Sequence, residues 1–319
     1  MYSLGIDLGS YGLEGVLINE AGECVWTAQT LVEGEPLKAL RLLVEGLIGQ
    51  YEAESIAWVG VTGSGWRLAK ALLGAVYAGE EMELLQSYCE SHYPQIASIV
   101  KIGYEETAVC HLHQPPKRRG RKNECIRNLG AFHQQQWQRV KMTSEQGEAL
   151  KAAENAELHI SAKCPAFMLR DMVKYEQMGL PKTMIAAKVD EALVRCYLQN
   201  TAKDDVFTGE ILFTGLLAES DGAAWALALE TGQRVWTDAR HCFLGAEAAA
   251  LKAAGWQPFT WRGEAVLSDK YDYAFVRCED GCERHCSLTQ FKINGAVQAV
   301  WGGKCDRWDN FIPEQDDAH

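Results

Sequence analysis

An α/β fold is predicted for this chain from three observations. Apolar runs bounded by glycine turns alternate with segments whose apolar residues recur at helical spacing. The chain opens on a Gly-rich hairpin, and a second hairpin of similar make-up follows later.

The first hairpin, Ser3 to Asn19, is the stretch around which the chain is organised. An apolar run ends at Asp7, a turn follows through Gly9, Ser10 and Gly12, and a second apolar run occupies Val16 to Ile18. Its tip is almost bare backbone. Amide N–H groups there can approach a phosphate closely, and Asp7 at the strand end can hold a hydrated Mg²⁺ facing the same oxygens. An ordinary glycine hairpin with an incidental Asp reads the same way, since short glycine motifs are weak signals.

The following elements are predicted in order. Cys24 to Thr30 is a third strand, reached through Ala21-Gly22. Leu37, Leu40, Leu43, Val44 and Leu47 make Glu35 to Glu52 an amphipathic helix, and Ile56 to Thr62 is a buried strand. That strand runs into Thr62-Gly63-Ser64-Gly65-Trp66-Arg67 before a helix carrying Leu68, Leu72 and Leu73. A turn of this kind with an Arg can bind an anion at a helix N-terminus, although structural turns of the same composition are common. Met82 to Ser91 is a helix, and the strand Ile96 to Ile102 opens the second hairpin, which continues through Gly103 to Val109.

Residues 113 to 123 interrupt the pattern with two prolines and five basic residues, an exposed loop that either is solvated or docks an acidic partner. Cys125 precedes a helix over Ile126 to Val140, interrupted early by Gly130. Cys164 precedes Pro165, which suits the first position of a helix reaching about Gln177, so Cys164 is the expected N-cap. A thiolate is favoured there by the helix dipole, and such a cysteine is a good metal ligand; two unrelated cysteines fit the same residues. Two chains together would offer four thiolates, the number a [4Fe–4S] cluster takes.

Lys182 to Leu198 is a helix with Ile185, Val189, Leu193 and Cys196 at core spacing, so Cys196 is read as packing. Glu210 to Thr214 is a strand ending at Gly215, Ala218 to Thr231 a helix broken near Asp221-Gly222, and Arg234 to Thr237 a strand. The helix Leu244 to Ala254 has a small-residue face for close packing. Cys24, Cys89, Cys110 and Cys242 lack ligand spacing and are read as core or incidental.

The last segment changes character. Trp256, Trp261, Tyr271, Tyr273 and Phe275 give short β-like runs, then Cys278, Cys282, Cys286 and Cys305 follow as C-x3-C-x3-C-x18-C. Four clustered cysteines suit zinc, as Cys₄ or as Cys₃His with His285, and suit a [4Fe–4S] cluster equally. Three domains are expected: 1–110, 111–255 and a Cys-rich module over 256–319.

Composition narrows the classes. With 319 residues, 47% hydrophobic and 23% charged, the chain is of globular type and long enough for about two cores. A net charge of −12 argues against nucleic-acid binding, which needs a basic surface. Eleven cysteines, an odd number, with no export pattern are poorly explained as a disulfide framework. No apolar stretch reaches membrane-spanning length, and the cytoplasm is the expected location.

Taken together, these stretches resemble the ATP-dependent activators (component A) of 2-hydroxyacyl-CoA dehydratases and the related BadF/BadG/BcrA/BcrD-type ATPase subunits of benzoyl-CoA reductases. The resemblance runs from about residue 3 to residue 255. Gly5-Ile6-Asp7-Leu8-Gly9-Ser10 resembles the family's first phosphate motif, and Thr62 to Arg67 its Thr-Gly-Tyr-Gly-Arg turn. Ile102-Gly103 falls where the family has Asp-Ile-Gly-Gly-Gln-Asp. Phe213-Thr214-Gly215 through Gly222 resembles the adenosine-side motif, and Gly245-Ala246 through Leu251 the closing helix. Asn123-Glu124-Cys125 and Cys164 fall where the family's two cluster cysteines stand, and the terminal cysteines, with Gly303-Lys304-Cys305-Asp306-Arg307, resemble elements of the larger activases.

The resemblance implies an actin-like ATPase fold (the superfold of acetate kinase, sugar kinases, Hsp70 and actin) with a duplicated domain. It implies ATP and Mg²⁺ at Asp7, Gly9, Ser10, Gly63, Gly65, Arg67, Gly103, Gly215 and Gly222, and a [4Fe–4S] cluster bridging a homodimer through Cys125 and Cys164. It also implies a dehydratase- or reductase-type metalloenzyme as electron acceptor, a ferredoxin or flavodoxin as donor, and zinc or a second cluster at Cys278, Cys282, Cys286 and Cys305. The departures fall on the nucleotide chemistry: Lys101 replaces an acidic residue, Tyr104 and Leu216 replace glycines, and Glu14 stands where a Lys is usual. They are expected to impair hydrolysis more than binding, because phosphoryl transfer depends on positioning and charge neutralisation. A nucleotide-silent scaffold for metallocluster assembly or regulation is the alternative expectation; a sugar or acyl kinase of the same superfold is a weaker third, for want of a substrate-recognition pattern.

Overall fold

A computed structural model describes residues 1–112, 126–141, 158–257, 261–278, 283–305 and 308. The chain divides into two compact units, one from residues 1–81 with 245–319 and one from residues 82–244.

The first unit is built on a five-stranded sheet. Strands β1 (Tyr2–Leu8), β2 (Gly12–Ile18) and β3 (Cys24–Leu31) form an antiparallel meander, and β4 (Ile56–Thr62) and β5 (Tyr77–Ala78) join parallel to β1, giving the order β3-β2-β1-β4-β5. β1 and β4 are near-continuous apolar runs because both of their faces are covered. Helix α1 (Pro36–Ile48) buries Leu40, Leu43, Val44 and Leu47 and stops at Gly49, shorter than the expected Glu35 to Glu52. Helix α2 (Trp66–Leu73) ends on Gly74 in the left-handed conformation, which glycine adopts without strain.

In the second unit, β6 (Ile96–Ile102) and β7 (Thr107–His111) form the second hairpin, and β8 (Glu210–Thr214) and β9 (Val235–Trp236) add in parallel, in the order β7-β6-β8-β9. A hairpin followed by two parallel strands thus occurs in both units, the topological mark of a duplication. Around this sheet lie α3 (Glu81–His92), α4 (Leu129–Arg139), α5 (Pro165–Gln177), α6 (Lys182–Asn200) and α7 (Asp221–Thr231). α6 carries Ile185, Val189, Leu193 and Cys196 into the core as its spacing predicts.

Helix α8 (Leu244–Ala254) lies so close to the first sheet that a Cβ on Gly5 would overlap the Ala246 carbonyl and one on Gly60 the Ala249 carbonyl. Its small-residue face is therefore a packing device, anchored by the Ser3 hydroxyl donating to the Ala250 carbonyl at 2.7 Å. After the short α9 (Ala265–Ser268), strands β10 (Tyr271–Arg277), β11 (Ser287–Ile293) and β12 (Ala296–Trp301) form an antiparallel sheet.

Three element expectations need correction. α4 begins at Leu129 rather than Ile126, and Gly130 does not interrupt it: Gly130 lies inside the helix, where its backbone touches Gly103 and Tyr104. Of the helix expected over Ala218 to Thr231 with a break near Asp221-Gly222, the break falls at Ser220, which caps α7 by accepting from the Ala223 N–H, and the part before it is a 3-10 turn, Leu216–Glu219. Trp256 and Trp261 are not in strands; Trp261 is buried in the first core with its indole N–H on the Ala53 carbonyl at 2.8 Å. Among the described residues no helix is long and apolar enough to cross a membrane.

Candidate functional site

In the first unit the expected phosphate corner is a knot of glycines around one carboxylate. Asp7 is buried near the end of β1. A Cβ on Gly63 would collide with Asp7 Oδ1 and the Leu8 carbonyl, and one on Gly245 would collide with Asp7 Oδ2. Gly63 also has φ +85°, and the Gly9 N–H closes the hairpin turn on the Gly12 carbonyl at 2.9 Å. The Gly65 N–H donates to the Leu8 carbonyl at 2.8 Å, holding the start of α2 against the end of β1. Asp7, Gly9, Ser10, Gly63 and Gly65 are thus gathered at one end of the sheet, with Gly245 beside them. Arg67 stands in the first turn of α2, its guanidinium 4.7 Å above the Trp66 ring.

The same corner holds Glu14, which is directly opposite Asp7 in the β1–β2 register and also buried. Its carboxylate accepts from Gln29 Nε2 at 3.1 Å. Opposite residues of an antiparallel pair share a face, so two carboxylates occupy the face where the resemblance leads one to expect one carboxylate and one ammonium.

In the second unit, Gly103 turns the second hairpin, its N–H on the Glu106 carbonyl at 2.8 Å. Gly215, at φ +87°, lies against it: a Cβ there would come within 2.7 Å of the Ile102 carbonyl carbon. Leu216 is half-buried in the 3-10 turn, and Gly222 stands in the first turn of α7. Gly103 and Gly215 are brought together, and close backbone contact by itself requires Gly215.

Cys164 is the N-cap of α5, as expected, in extended conformation with Pro165 at the first helical position. Its carbonyl accepts from the Phe167 and Met168 N–H groups at 3.1 and 3.2 Å, and its thiol is half-buried. The strap leading to it is fastened to α5 at two points. Asp171 Oδ2 accepts the Ser161 N–H at 3.0 Å, and the Tyr175 hydroxyl donates to the His159 carbonyl at 2.9 Å. Burial pushes the Asp171 carboxyl upward, but hydrogen bonds from Arg170 and Ser161 together outweigh it and hold the carboxyl below its ordinary range. Behind the strap, Cys196 is fully buried, and its thiol reaches the Lys163 carbonyl at 3.8 Å. Burial, and secondarily the neighbouring Cys164, pushes the Cys196 thiol up to about 12.

Cys125, the other expected ligand, and the basic loop 113–123 lie outside the described residues, as does Cys282. Of the terminal cysteines, Cys278 and Cys286 face each other at the end of the β10–β11 hairpin, the Cys278 N–H on the Cys286 carbonyl at 2.9 Å, both buried with Leu288 and Val300. Cys305 is exposed on a loop tied to the hairpin by Arg284 Nη1 donating to the Lys304 carbonyl at 2.5 Å. Among the described residues no three His, Cys, Asp or Glu side chains are gathered as a metal ligand set.

One polar cluster was not anticipated. Asp190, fully buried in α6, accepts from the Ser220 hydroxyl at 2.5 Å and lies 3.0 Å from His133 Nε2 on α4. The nearest signal in the sequence is an acidic residue directly after the core residue Val189.

The sequence matches no protein-family model and no curated protein. Solved structures similar to this chain include component A of (R)-2-hydroxyglutaryl-CoA dehydratase from Acidaminococcus fermentans, 21% identical at a TM-score of 0.69 over 80% of this chain and 98% of that one. The activator of the 2-hydroxyisocaproyl-CoA dehydratase from Clostridium difficile, with bound ADPNP, is 20% identical at a TM-score of 0.66 over 79% of this chain and 94% of that one. A ROK family glucokinase from Streptomyces griseus, in complex with glucose and AMPPNP, is 12% identical at a TM-score of 0.50 over 80% of this chain and all of its own. The shared fold is the actin-like ATPase fold, which agrees with the α/β class and the two hairpin-led sheets.

Proposed function

We propose that this chain is an activator-like iron–sulfur ATPase: a homodimer that binds Mg²⁺-ATP in each copy and passes low-potential electrons to a dehydratase- or reductase-type metalloenzyme. The observation that carries the proposal is Cys164, an accessible thiol at the positive end of α5, in a chain whose fold is shared along nearly the full length of two dehydratase activators. A half-buried cysteine at a helix N-terminus suits a metal ligand, whereas burial pushes the Cys196 thiol behind it up to about 12. Cys125 and Cys164 of two copies would supply the four thiolates of one [4Fe–4S] cluster. When bound, such a cluster supplies a one-electron carrier. The chain's own part is to hold Cys164 on a fastened strap at the end of a helix.

On the nucleotide side, Asp7 would orient Mg²⁺, and the backbone at Gly9, Ser10, Gly63 and Gly65 would face the phosphates. In the second unit, Gly103, Gly215 and Gly222 are the residues proposed for nucleotide contact. A ferredoxin or flavodoxin is the fitting electron donor. ATP drives such a protein only if it binds one dimer geometry better than another.

A second reading is favoured by one observation, Glu14 opposite Asp7. Two buried carboxylates disfavour triphosphate binding, and a nucleotide-silent scaffold for metallocluster assembly or regulation follows. Titration with Mg²⁺-ATP, together with iron and sulfide analysis of anaerobically purified protein, tests the proposal. Iron bound through Cys125 and Cys164 with measurable nucleotide affinity supports the activator; absence of both leaves the scaffold.

A further inference from the structure

The buried cluster of His133, Asp190 and Ser220 joins three helices of the second unit. Asp190 sits at the middle of α6 with no exposed surface, a costly place for a carboxylate unless donors reach it. One donor, Ser220, and one close neighbour, His133, come from other elements. Ser220 gives its hydroxyl proton to Asp190 Oδ2 while its oxygen accepts the Ala223 N–H, so one hydroxyl caps α7 and binds α6. His133 Nε2 on α4 approaches Asp190 Oδ1 at 3.0 Å.

The two ends of this chain of contacts carry different proposed roles. Ser220 directly follows the 3-10 turn that begins after Gly215, on the adenosine side. α4 follows Cys125 after a few residues, and its own start is fixed to the second hairpin: the Gly130 and Ala131 N–H groups donate to the Gly103 and Tyr104 carbonyls at 3.2 and 3.1 Å. α4 also packs against the 3-10 turn itself. A buried polar cluster is a weak source of stability compared with apolar packing, but it tolerates little displacement, so its effect is to keep its partners in register.

Resting on the activator reading, we propose that Asp190 is a positioning residue that couples the nucleotide-side turn and α7 to α4, the helix that follows Cys125 in the sequence. Movement of the α7 cap on nucleotide binding is carried through Asp190 to His133 rather than absorbed locally.

Two experiments on the full chain test this. The first needs no nucleotide: a double-mutant cycle with Ser220→Ala and His133→Gln, read as urea midpoints. The two side chains are expected to be non-additive in wild type and additive in an Asp190→Asn background. Additivity in wild type overturns the proposal. The second is hydrogen exchange with and without Mg²⁺-ADPNP. Protection is expected in both 216–231 and 126–141 in wild type, with the response of 126–141 falling at least about threefold in Asp190→Asn while that of 216–231 persists. An equal response of 126–141 in wild type and Asp190→Asn, or no response there when 216–231 responds, overturns the coupling and leaves nucleotide binding intact. Non-additivity in the cycle with no nucleotide response anywhere overturns the activator reading, and with it the coupling's role, while the mechanical link stands.

Discussion

Asp7 and Glu14 stand directly opposite one another across the first hairpin, both buried and both on one face of the sheet. Like charges so placed raise the cost of bringing phosphates near. Glu14→Lys is therefore expected to tighten Mg²⁺-ATP binding by about tenfold or more, or about 1.4 kcal/mol. Isothermal titration checks it; an unchanged Kd would mean that Glu14 does not face the nucleotide.

Gly63 is predicted to be intolerant of any side chain. Its φ of +85° disfavours an L-residue, and a methyl group would meet both Asp7 Oδ1 and the Leu8 carbonyl. Gly63→Ala should destabilise the protein by about 3 kcal/mol. Gly46→Ala, whose added carbon meets nothing within 4 Å, is the control and should leave the urea midpoint unchanged or slightly raised.

The strap bearing Cys164 should respond to acid. Because the Asp171 carboxyl is held below its ordinary value in the folded protein, its contribution is present above the unfolded carboxyl pKa and is lost as pH falls through the lower, folded one. The protection factor of 158–164, taken relative to intrinsic exchange at each pH, should fall on acidification, and Asp171→Asn should show lower protection already at neutral pH with a flatter acid limb. Identical acid limbs would show that Asp171 does not hold the strap.

Alkylation distinguishes the two neighbouring cysteines. Cys164, accessible at a helix N-terminus, should react with iodoacetamide in the metal-free protein, whereas Cys196, buried and raised to about 12, should react only on unfolding. Mass spectrometry of the modified peptides reports both, and prompt labelling of Cys196 would contradict the arrangement.

The terminal hairpin is expected to bind metal. Cys278 and Cys286 already face each other, and the Arg284 bond holds the Cys305 loop against the hairpin. Cys278→Ser with Cys286→Ser should remove one metal per chain, and a chelator should lower the Tm of wild type but not of that variant. Equal metal content in the two proteins would identify these thiols as packing.

Much of the fold was legible because buried strands and one helix carry uninterrupted local signals. Ile56–Thr62, Ile96–Ile102, Glu210–Thr214 and Leu244–Ala254 are observed with the bounds their patterns predict. Two-residue β5 lacks enough length to show a period, and the start of α4 depends on Gly130 meeting Gly103, which lies far away in sequence. Glycine itself is ambiguous: Gly63 and Gly215 fit nucleotide contacts, yet each is also required by a neighbouring backbone or carboxylate. The Asp190 cluster was illegible because its partners come from helices separated by dozens of residues, with no local pattern.

The most direct test of the central claim is iron and sulfide per chain in anaerobically purified protein, compared with the Cys125→Ser/Cys164→Ser variant. One four-iron cluster per dimer means that the Cys125→Ser/Cys164→Ser variant loses about two irons per chain, which Cys278→Ser/Cys286→Ser retains. Iron content unaffected by Cys125→Ser/Cys164→Ser, or no iron in wild type, would contradict it.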